Sequence, residues 1–510
     1  MGELYRQQGR YPEAEKILDK ALAMRKAIFS DSHPQIAESL NNIAALYESQ
    51  GRLEESEQTY LESLEMRKSI FENEHPAIAE SLNNLAALYH SQGRYLEAEE
   101  NYLQALAILQ NFIEEHHIAK ILNNLGEVYK ELGRFSSSEQ KHLEALAIKK
   151  RLLGAEHPDI AMSLGNLAEI YRLQGRYSES ESNFLAALEL RKLLFGDEHH
   201  DVASSLNGLA ALYSSIGRYS EAEEKHLKAL AMRKNLLGDS HLDVACSLNN
   251  LAELYRLQGR YSEAEQKHLQ ALAIKKEILG SEHPDIADSL ACIAEVYRFQ
   301  GRYTEAKNIL LGTYSMRKRL LGDIHIDIAR TLNSLAVLYD AQREYNQAEP
   351  LLIEALIITQ NVFGSEHPEI ANCMHNLATL YGCLERYEEA EKMLLEVLKT
   401  RERFLGTEHP DIALSLNNLA EVYFSQGRYQ EAQEIYVKVL SIRKRLLGNS
   451  HPDVARSLNN LATVFTASNR PEEALSYRVQ ASLINDKIIS QAFAFSSEND
   501  RIAFLQRIQS

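Results

Sequence analysis

Tryptophan is absent from these 510 residues, which hold only four cysteines, ten prolines and 23 glycines. Four cysteines (Cys246, Cys292, Cys373 and Cys383) cannot build the disulfide framework of a small secreted fold and fit reduced thiols in a cytosol. On one helix, Cys373 and Cys383 would stand about 15 Å apart at 1.5 Å per residue, too far to bridge. The few glycines and prolines are isolated, so no Pro/Gly/Ser linker divides the chain. No apolar run approaches the roughly 18 residues that span a bilayer. Met1-Gly2-Glu3-Leu4-Tyr5-Arg6 lacks the basic-then-apolar order of a signal peptide. Basic residues number 55 against 72 acidic ones, a net charge of −17, which repels phosphate backbones and anionic membranes. These features lead to an expected cytoplasmic location, with neither nucleic acid nor membrane as partner.

Catalytic apparatus is missing too. There is no Gly-x-x-x-x-Gly-Lys-(Ser/Thr) loop to cradle phosphates and no Gly-x-Ser-x-Gly nucleophile elbow. Neighbouring carboxylates such as Glu99-Glu100 and Glu388-Glu389 read as solvated helix faces, since acid–base work needs a pocket that shifts their pKa values. The 18 histidines invite a metal reading, but ten of them (His33, His75, His157, His199, His241, His283, His325, His367, His409 and His451) come one per repeat. Packed helices would hold such neighbours about 8–10 Å apart, whereas zinc ligands converge at about 2.0–2.1 Å from one ion. The expectation is structural histidines just before a helix, no metal, no cofactor and no enzyme.

What the chain has is repetition. Leu-Asn-Asn-(Leu/Ile)-Ala begins at Leu40, Leu82, Leu248, Leu416 and Leu458, with variants at Leu122, Leu164, Leu206, Leu290, Leu332 and Met374. Successive starts lie 42 residues apart, except for 40 between Leu82 and Leu122, where Asn111 to His117 replaces a longer connector. That makes eleven copies over 31–490, a partial first copy over 1–30, and a remainder, 491–510, read as a cap or linker. The N-terminal Met1-Gly2-Glu3-Leu4-Tyr5 matches the tail of a first helix, so the chain opens inside a repeat. Ser497 reads as the cap of a last short helix bearing Ile502, Leu505 and Ile508.

Each copy reads as two helices. Between Pro76 and Gln110, a stripe of Ala79, Leu82, Leu85, Ala86 and Tyr89 precedes one of Ala98, Tyr102, Ala105 and Ile108. Pro76 suits a first helical turn, and Gly93 a left-handed stop. That stop recurs at Gly51, Gly133, Gly175, Gly217, Gly259, Gly301 and Gly427, but Arg343, Glu385 and Asn469 replace it elsewhere. His142, His226 and His268 fill the slot held by Tyr60, Tyr102, Phe184 and Tyr436, and read as packed core rings. One hairpin cannot bury its apolar face alone; a stack can. The expected fold is therefore all-α, an α-solenoid of antiparallel helix pairs forming an open superhelix with first helices on the concave side.

This pattern resembles the tetratricopeptide repeat over about nine-tenths of the chain, with a period longer than the usual 34. The connector Leu-Gly-x-Glu-His-Pro-Asp-(Ile/Val)-Ala, as in Leu153 to Ala161, Leu279 to Ala287 and Leu405 to Ala413, looks like that of kinesin light chains and their bacterial relatives. No heptad run accompanies it, so a motor role does not carry over. The stretch Ile488 to Arg507 also looks like the connector before a caspase-like CHAT domain in bacterial proteins. The resemblance implies binding of extended, often acidic, peptides in the concave groove. The alternatives are a regulatory arm of a larger protein such as a CHAT protease, and a self-assembling array joined through its terminal repeats.

The groove face of the first helices is expected to carry Asn41, Asn42, Asn83, Asn84, Asn123, Asn124, Asn166, Asn207, Asn249, Asn250, Asn333, Asn376, Asn417, Asn418, Asn459 and Asn460. A primary amide donates and accepts, so it suits a peptide backbone of any sequence; it can equally bond the neighbouring repeat, and the expectation is one structural and one ligand-facing asparagine per pair. Lys130, Arg172, Arg256 and Arg298 form a basic stripe that would receive an acidic ligand. They also stand three residues after Glu127, Glu169, Glu253 and Glu295, as ordinary helix-surface pairs do.

Overall fold

The computed structural model describes residues 1–510 apart from 30–31, 72–73, 113, 365–366 and 494–510. The cap expected at Ser497, and most of the stretch resembling a CHAT connector, lie outside the described residues. The rest forms twenty-four helices, α1 to α24, in twelve antiparallel pairs. Odd-numbered helices are first helices and even-numbered ones second.

The pair α5 (Pro76–Ser91) and α6 (Tyr95–Gln110) shows why the chain folds so. The His75 ring Nδ1 accepts the Ala77 N–H at 3.1 Å, capping α5 ahead of Pro76. At the other end Gly93 takes φ +73, and the Arg94 N–H reaches back to the Tyr89 carbonyl at 2.8 Å, closing the helix with a left-handed turn. Ala79, Ala86, Ala98 and Ala105 are fully buried, so the two backbones pack closely while Leu82, Leu85 and Tyr102 fill the space between repeats. Arg343, Glu385 and Asn469 adopt the same left-handed turn, with φ of 62, 61 and 59. Cys373 and Cys383 lie on α19 (Pro368–Cys383), and all four thiols are free.

An arginine after each corner locks one pair to the next. Arg218 precedes α12 (Tyr219–Leu237), lies 3.9 Å over the Tyr213 ring, and donates to Glu221 on its own helix and to Glu181 on α10 (Tyr177–Phe195) at 2.7 and 2.9 Å. Arg52, Arg94, Arg176, Arg260, Arg302, Arg386 and Arg428 repeat the arrangement. One corner reverses the charges. Glu344 stands in the arginine's place, and Lys307 lies over the Tyr339 ring at 4.7 Å. Glu99 and Glu389, expected to be merely solvated, belong to this set through Arg134 and Arg386.

Neighbouring first helices touch one another, as α9 (Pro158–Leu173) does α11 (His200–Ser215) and α11 does α13 (Leu242–Leu257), so they form the inner side. The array curves far enough to meet itself. Corners of the first turn pack against connectors six pairs later: Gly51 against His283, Gly93 against His325, Gly133 against Pro368, Gly175 against His409 and Gly217 against His451. Tyr95 stacks on Phe363 at 5.6 Å across this seam, and one apolar cluster joins Leu82 and Leu125 to Ile326 and Phe363. The expected open rod is thus corrected: successive turns touch, because the seam corners are glycines and leave room for the opposing rings.

A Cβ on Gly133 would sit 2.3 Å from Pro368 Cγ, and one on Gly217 2.6 Å from the His451 ring, whereas Gly301 and Gly427 have nothing within 4 Å. All four share φ between +65 and +77, so alanine costs each the same left-handed strain, about 1–2 kcal/mol. Gly133→Ala with Gly217→Ala is expected to enlarge the radius of gyration in small-angle scattering, and Gly301→Ala with Gly427→Ala to leave it alone. Identical scattering from the two variants would rule the seam out as a determinant of shape.

Candidate functional site: the inner face and its histidine seam

The inner face is built from one exposed to half-buried stripe per first helix. On α15 (Pro284–Phe299) it runs through Asp288, Cys292, Glu295 and Phe299. The structure sorts the asparagines by position. The first of each pair turns inward: Asn41, Asn83, Asn123, Asn207 and Asn417 are buried, and Asn249, Asn333 and Asn459 partly so. The Asn123, Asn207 and Asn249 Oδ1 atoms lie 3.3, 2.9 and 3.0 Å from the Nδ1 of His142, His226 and His268. Those rings are core rings, as their slot suggested, and also polar partners for the helix they face. Asn207 Nδ2 donates to Ser247 on the next repeat, and Asn333 Nδ2 to Cys373. These amides are consumed by packing.

The second of each pair remains on the groove wall. Asn42 and Asn250 are exposed; Asn84, Asn124, Asn166, Asn376, Asn418 and Asn460 are half-buried. Some also tie repeats together: Asn124 donates to Asn83 at 3.1 Å, Asn460 to Asn417 at 2.9 Å, and Asn418 to Thr379 at 2.9 Å.

The basic stripe is present but neutralised. Lys130 bonds Glu127 at 2.5 Å, Arg172 bonds Glu169 at 2.6 Å, Arg298 bonds Glu295 at 2.5 Å, and Arg256 pairs with Glu253. Arg256 and Arg298 also flank the Phe299 ring, at 5.1 and 4.1 Å from its centre. Burial raises the Glu127 pKa, but the His142 ring, 3.4 Å away, and the Lys130 charge outweigh it and hold Glu127 at about 2. The face therefore presents alternating fixed charges, each cation 16–24% exposed and each with a carboxylate beside it.

All ten connector histidines cap the following helix through Nδ1, which accepts the N–H two residues on at 3.0–3.2 Å. Five of them also lie in the seam. His367 Nε2 is 2.8 Å from the Glu131 carbonyl, which ends α7 (Glu115–Glu131), and His409 Nε2 is 2.9 Å from the Leu173 carbonyl, which ends α9. Each is thus a neutral ring with its proton on Nε2, accepting from one helix N-terminus and donating to the unpaired C-terminal carbonyl of a helix a full turn away. The sequence marks these rings as structural but not their second partner. The regular recurrence of one histidine per connector signals the cap, but contact between turns depends on the summed curvature of six pairs.

One group of potential metal ligands stands together among the described residues. His199, His200 and Asp201 offer atoms within 4.8 Å of one another, but His199 Nδ1 is already used to cap α11. No helix among the described residues is long and apolar enough to cross a membrane.

Models of the tetratricopeptide repeat match residues 1–69, 37–111, 117–192, 159–235, 217–277, 243–319, 285–352, 327–403 and 411–481, and a second such model matches 375–440. No curated protein matches the chain. Among solved structures, BtubC (BKLC) from P. vanneervenii is 26% identical, the match covering 45% of this chain and 92% of that one with a TM-score of 0.38. A Podosopora anserina putative kinesin light chain with nearly identical TPR-like repeats is also 26% identical, over 41% of this chain and 100% of that one, at 0.35. A point variant of that Podosopora anserina protein gives 26%, 41%, 99% and 0.36.

Burial holds the His367 pKa down at about 4 and lowers that of His409. The groups facing His367 are the Glu131 carbonyl, Glu369, Arg330 and Arg134; those facing His409 are Asp411, the Leu173 carbonyl and Arg401. A ring released from the seam regains its ordinary value near 6.5 and takes up a proton that the closed form refuses. Seam stability is therefore whole above pH 6.5, weakens as pH falls, and is lost for His367 by about 4. The radius of gyration should grow between pH 7.5 and 5. His367→Asn with His409→Asn keeps the helix caps, cannot reach the carbonyls, and should be enlarged and less sensitive to pH over that range, with His283, His325 and His451 still buried in the seam. A wild-type radius equal at both pH values would sink this assignment.

Proposed function

The chain belongs to the tetratricopeptide-repeat family, whose members act as protein–protein interaction scaffolds, and we propose that its inner face holds an extended peptide segment of a protein partner. The observation that carries this reading is the row of outward amides and fixed charges, repeated along the first helices. Asn42, Asn84, Asn166 and Asn250 would bond the ligand backbone whatever its sequence. Arg172, Arg256 and Arg298 would exchange their own carboxylates for those of an acidic ligand. In a structure whose turns touch, such a segment reaches the inner face from an end or through an opened seam. Self-assembly is not needed to complete the groove.

Arg172→Gln, Arg256→Gln and Arg298→Gln together keep a donor for each glutamate and remove three cations. Partly exposed charge pairs contribute up to about 1 kcal/mol each, so affinity for Asp/Glu-rich fluorescent peptides should fall on the order of tenfold or more. The melting temperature should hold steady. Unchanged anisotropy titrations would show that the stripe is surface solvation alone.

A further inference from the structure

Near the end of several second helices stands an arginine with three partners. Arg317 gives Nη1 to the Asp327 carbonyl and to Thr331 at 2.9 and 2.6 Å, and Nη2 to Asp288 of α15 at 2.5 Å. Arg233 and Arg401 repeat the arrangement, with Nη2 on Ser204 and Asn372 at 3.0 and 2.7 Å. That third partner stands two residues before the leading Leu or Met of its repeat.

Arg443, on α22 (Tyr429–Leu447), keeps only two of the three. Its Nη1 donates to the Asp453 carbonyl and to Ser457 of α23 (Pro452–Ala467) at 3.1 and 2.8 Å. The third position is Leu414 of α21 (Pro410–Ser425), which offers no acceptor. The Nε–H and Nη2–H donors of Arg443 therefore have no partner among the described residues, although the residue is only 4% exposed. Unmet donors on a buried cation are costly. Burial pushes the Arg443 pKa down; Asp453 and Tyr436 offset part of this, and Arg456 adds to it.

Arg443 forms one wall of a cavity of 190 Å³, whose apolar walls are Pro410, Leu414, Leu446 and Leu447. The more exposed Asp411, Asp453 and Arg456 complete the lining. Asp453 pairs with Arg456 at 3.1 Å, and the Asp411 carboxylate faces the neutral His409 ring at 3.7 Å.

We propose that this cavity binds a short aliphatic monocarboxylate, with its carboxylate on the open donors of Arg443 and its chain against Leu414, Leu446 and Leu447. The ligand's carboxylate takes the place that Asp288 fills for Arg317. A charge-assisted, two-donor contact from a planar guanidinium suits that group. Asp411 and Asp453 repel a second negative charge, which favours a monoanion over a dianion. An apolar cavity of about 150 Å³ holds benzene, so this one suits a ligand of about eight non-hydrogen atoms. The site is independent of the peptide reading, since none of the groove asparagines or stripe cations lines it.

Hexanoate is the probe, followed by saturation-transfer NMR on the full chain. Its signal should saturate with a Kd on the order of 1 mM or below. Hexylammonium should give no saturable signal, and hexanedioate should bind about tenfold more weakly. Leu414→Asp supplies the missing acceptor from within, at a position 37% exposed. It should weaken hexanoate at least about tenfold while the melting temperature holds or rises. Leu414→Asn, the neutral acceptor found at Asn372, should weaken it too, which separates occupied donors from charge repulsion. The proposal is overturned if hexanoate shows no saturation, if hexylammonium or hexanedioate binds as tightly, or if either variant binds hexanoate undiminished. A glycine-rich tetrapeptide ending in leucine that binds more tightly than hexanoate would also overturn it, making the cavity a site for a chain end.

Discussion

Everything in this molecule depends on the angle set at each corner, where one residue turns left-handed and the next is an arginine. The left-handed residue fixes how the second helix folds back on the first. The arginine fixes how that pair leans on the one before, by gripping two glutamates from different second helices while lying flat on a tyrosine. A single exposed ion pair contributes only about 0 to 1 kcal/mol. Here its role is geometric more than energetic. Repeated from Arg52 to Arg428, the same small rotation accumulates until the chain meets itself after six pairs.

The exceptions show that these contacts are specific. Where the corner arginine is replaced by Glu344, the residue 37 positions before it becomes Lys307, so opposite charges still face one another. A second set of cations reaches from second helices into the following connector: Arg401, for example, donates to the Asp411 carbonyl at 3.0 Å and to Ser415 at 2.5 Å. At Thr359 that cation is missing, its hydroxyl faces Cys373, and Arg330 supplies a charge to Glu369 from the neighbouring first helix instead. Each reversal keeps a polar contact satisfied in a place where an unpaired group would be costly.

Much of this was legible in the residues. The 3.6-residue stripes, the alanines at close contacts and the punctual glycines declare the helix pairs, because each is a local requirement of a helix or a turn. The buried His142, His226 and His268 could be read from the aromatic slot they share with Tyr102. A division of labour within each asparagine pair could be expected, but not which member packs, since adjacent helical positions differ by only about 100° and the packing angle of the next repeat decides which one is covered. The seam was out of reach for a stronger reason. Glu131 and His367 lie 236 residues apart, and a change of a few degrees at each intervening corner would have left them far from contact.

The seam gives the array a mechanical character that an open solenoid lacks. An open solenoid lengthens under load as a soft coil, with its turns separating from the first small pull. Here the turns are pinned at five points by rings bonded at both nitrogens or wedged against glycine corners, so tension applied along the axis meets stiffness first. It then yields pin by pin, while the helix pairs themselves stay folded.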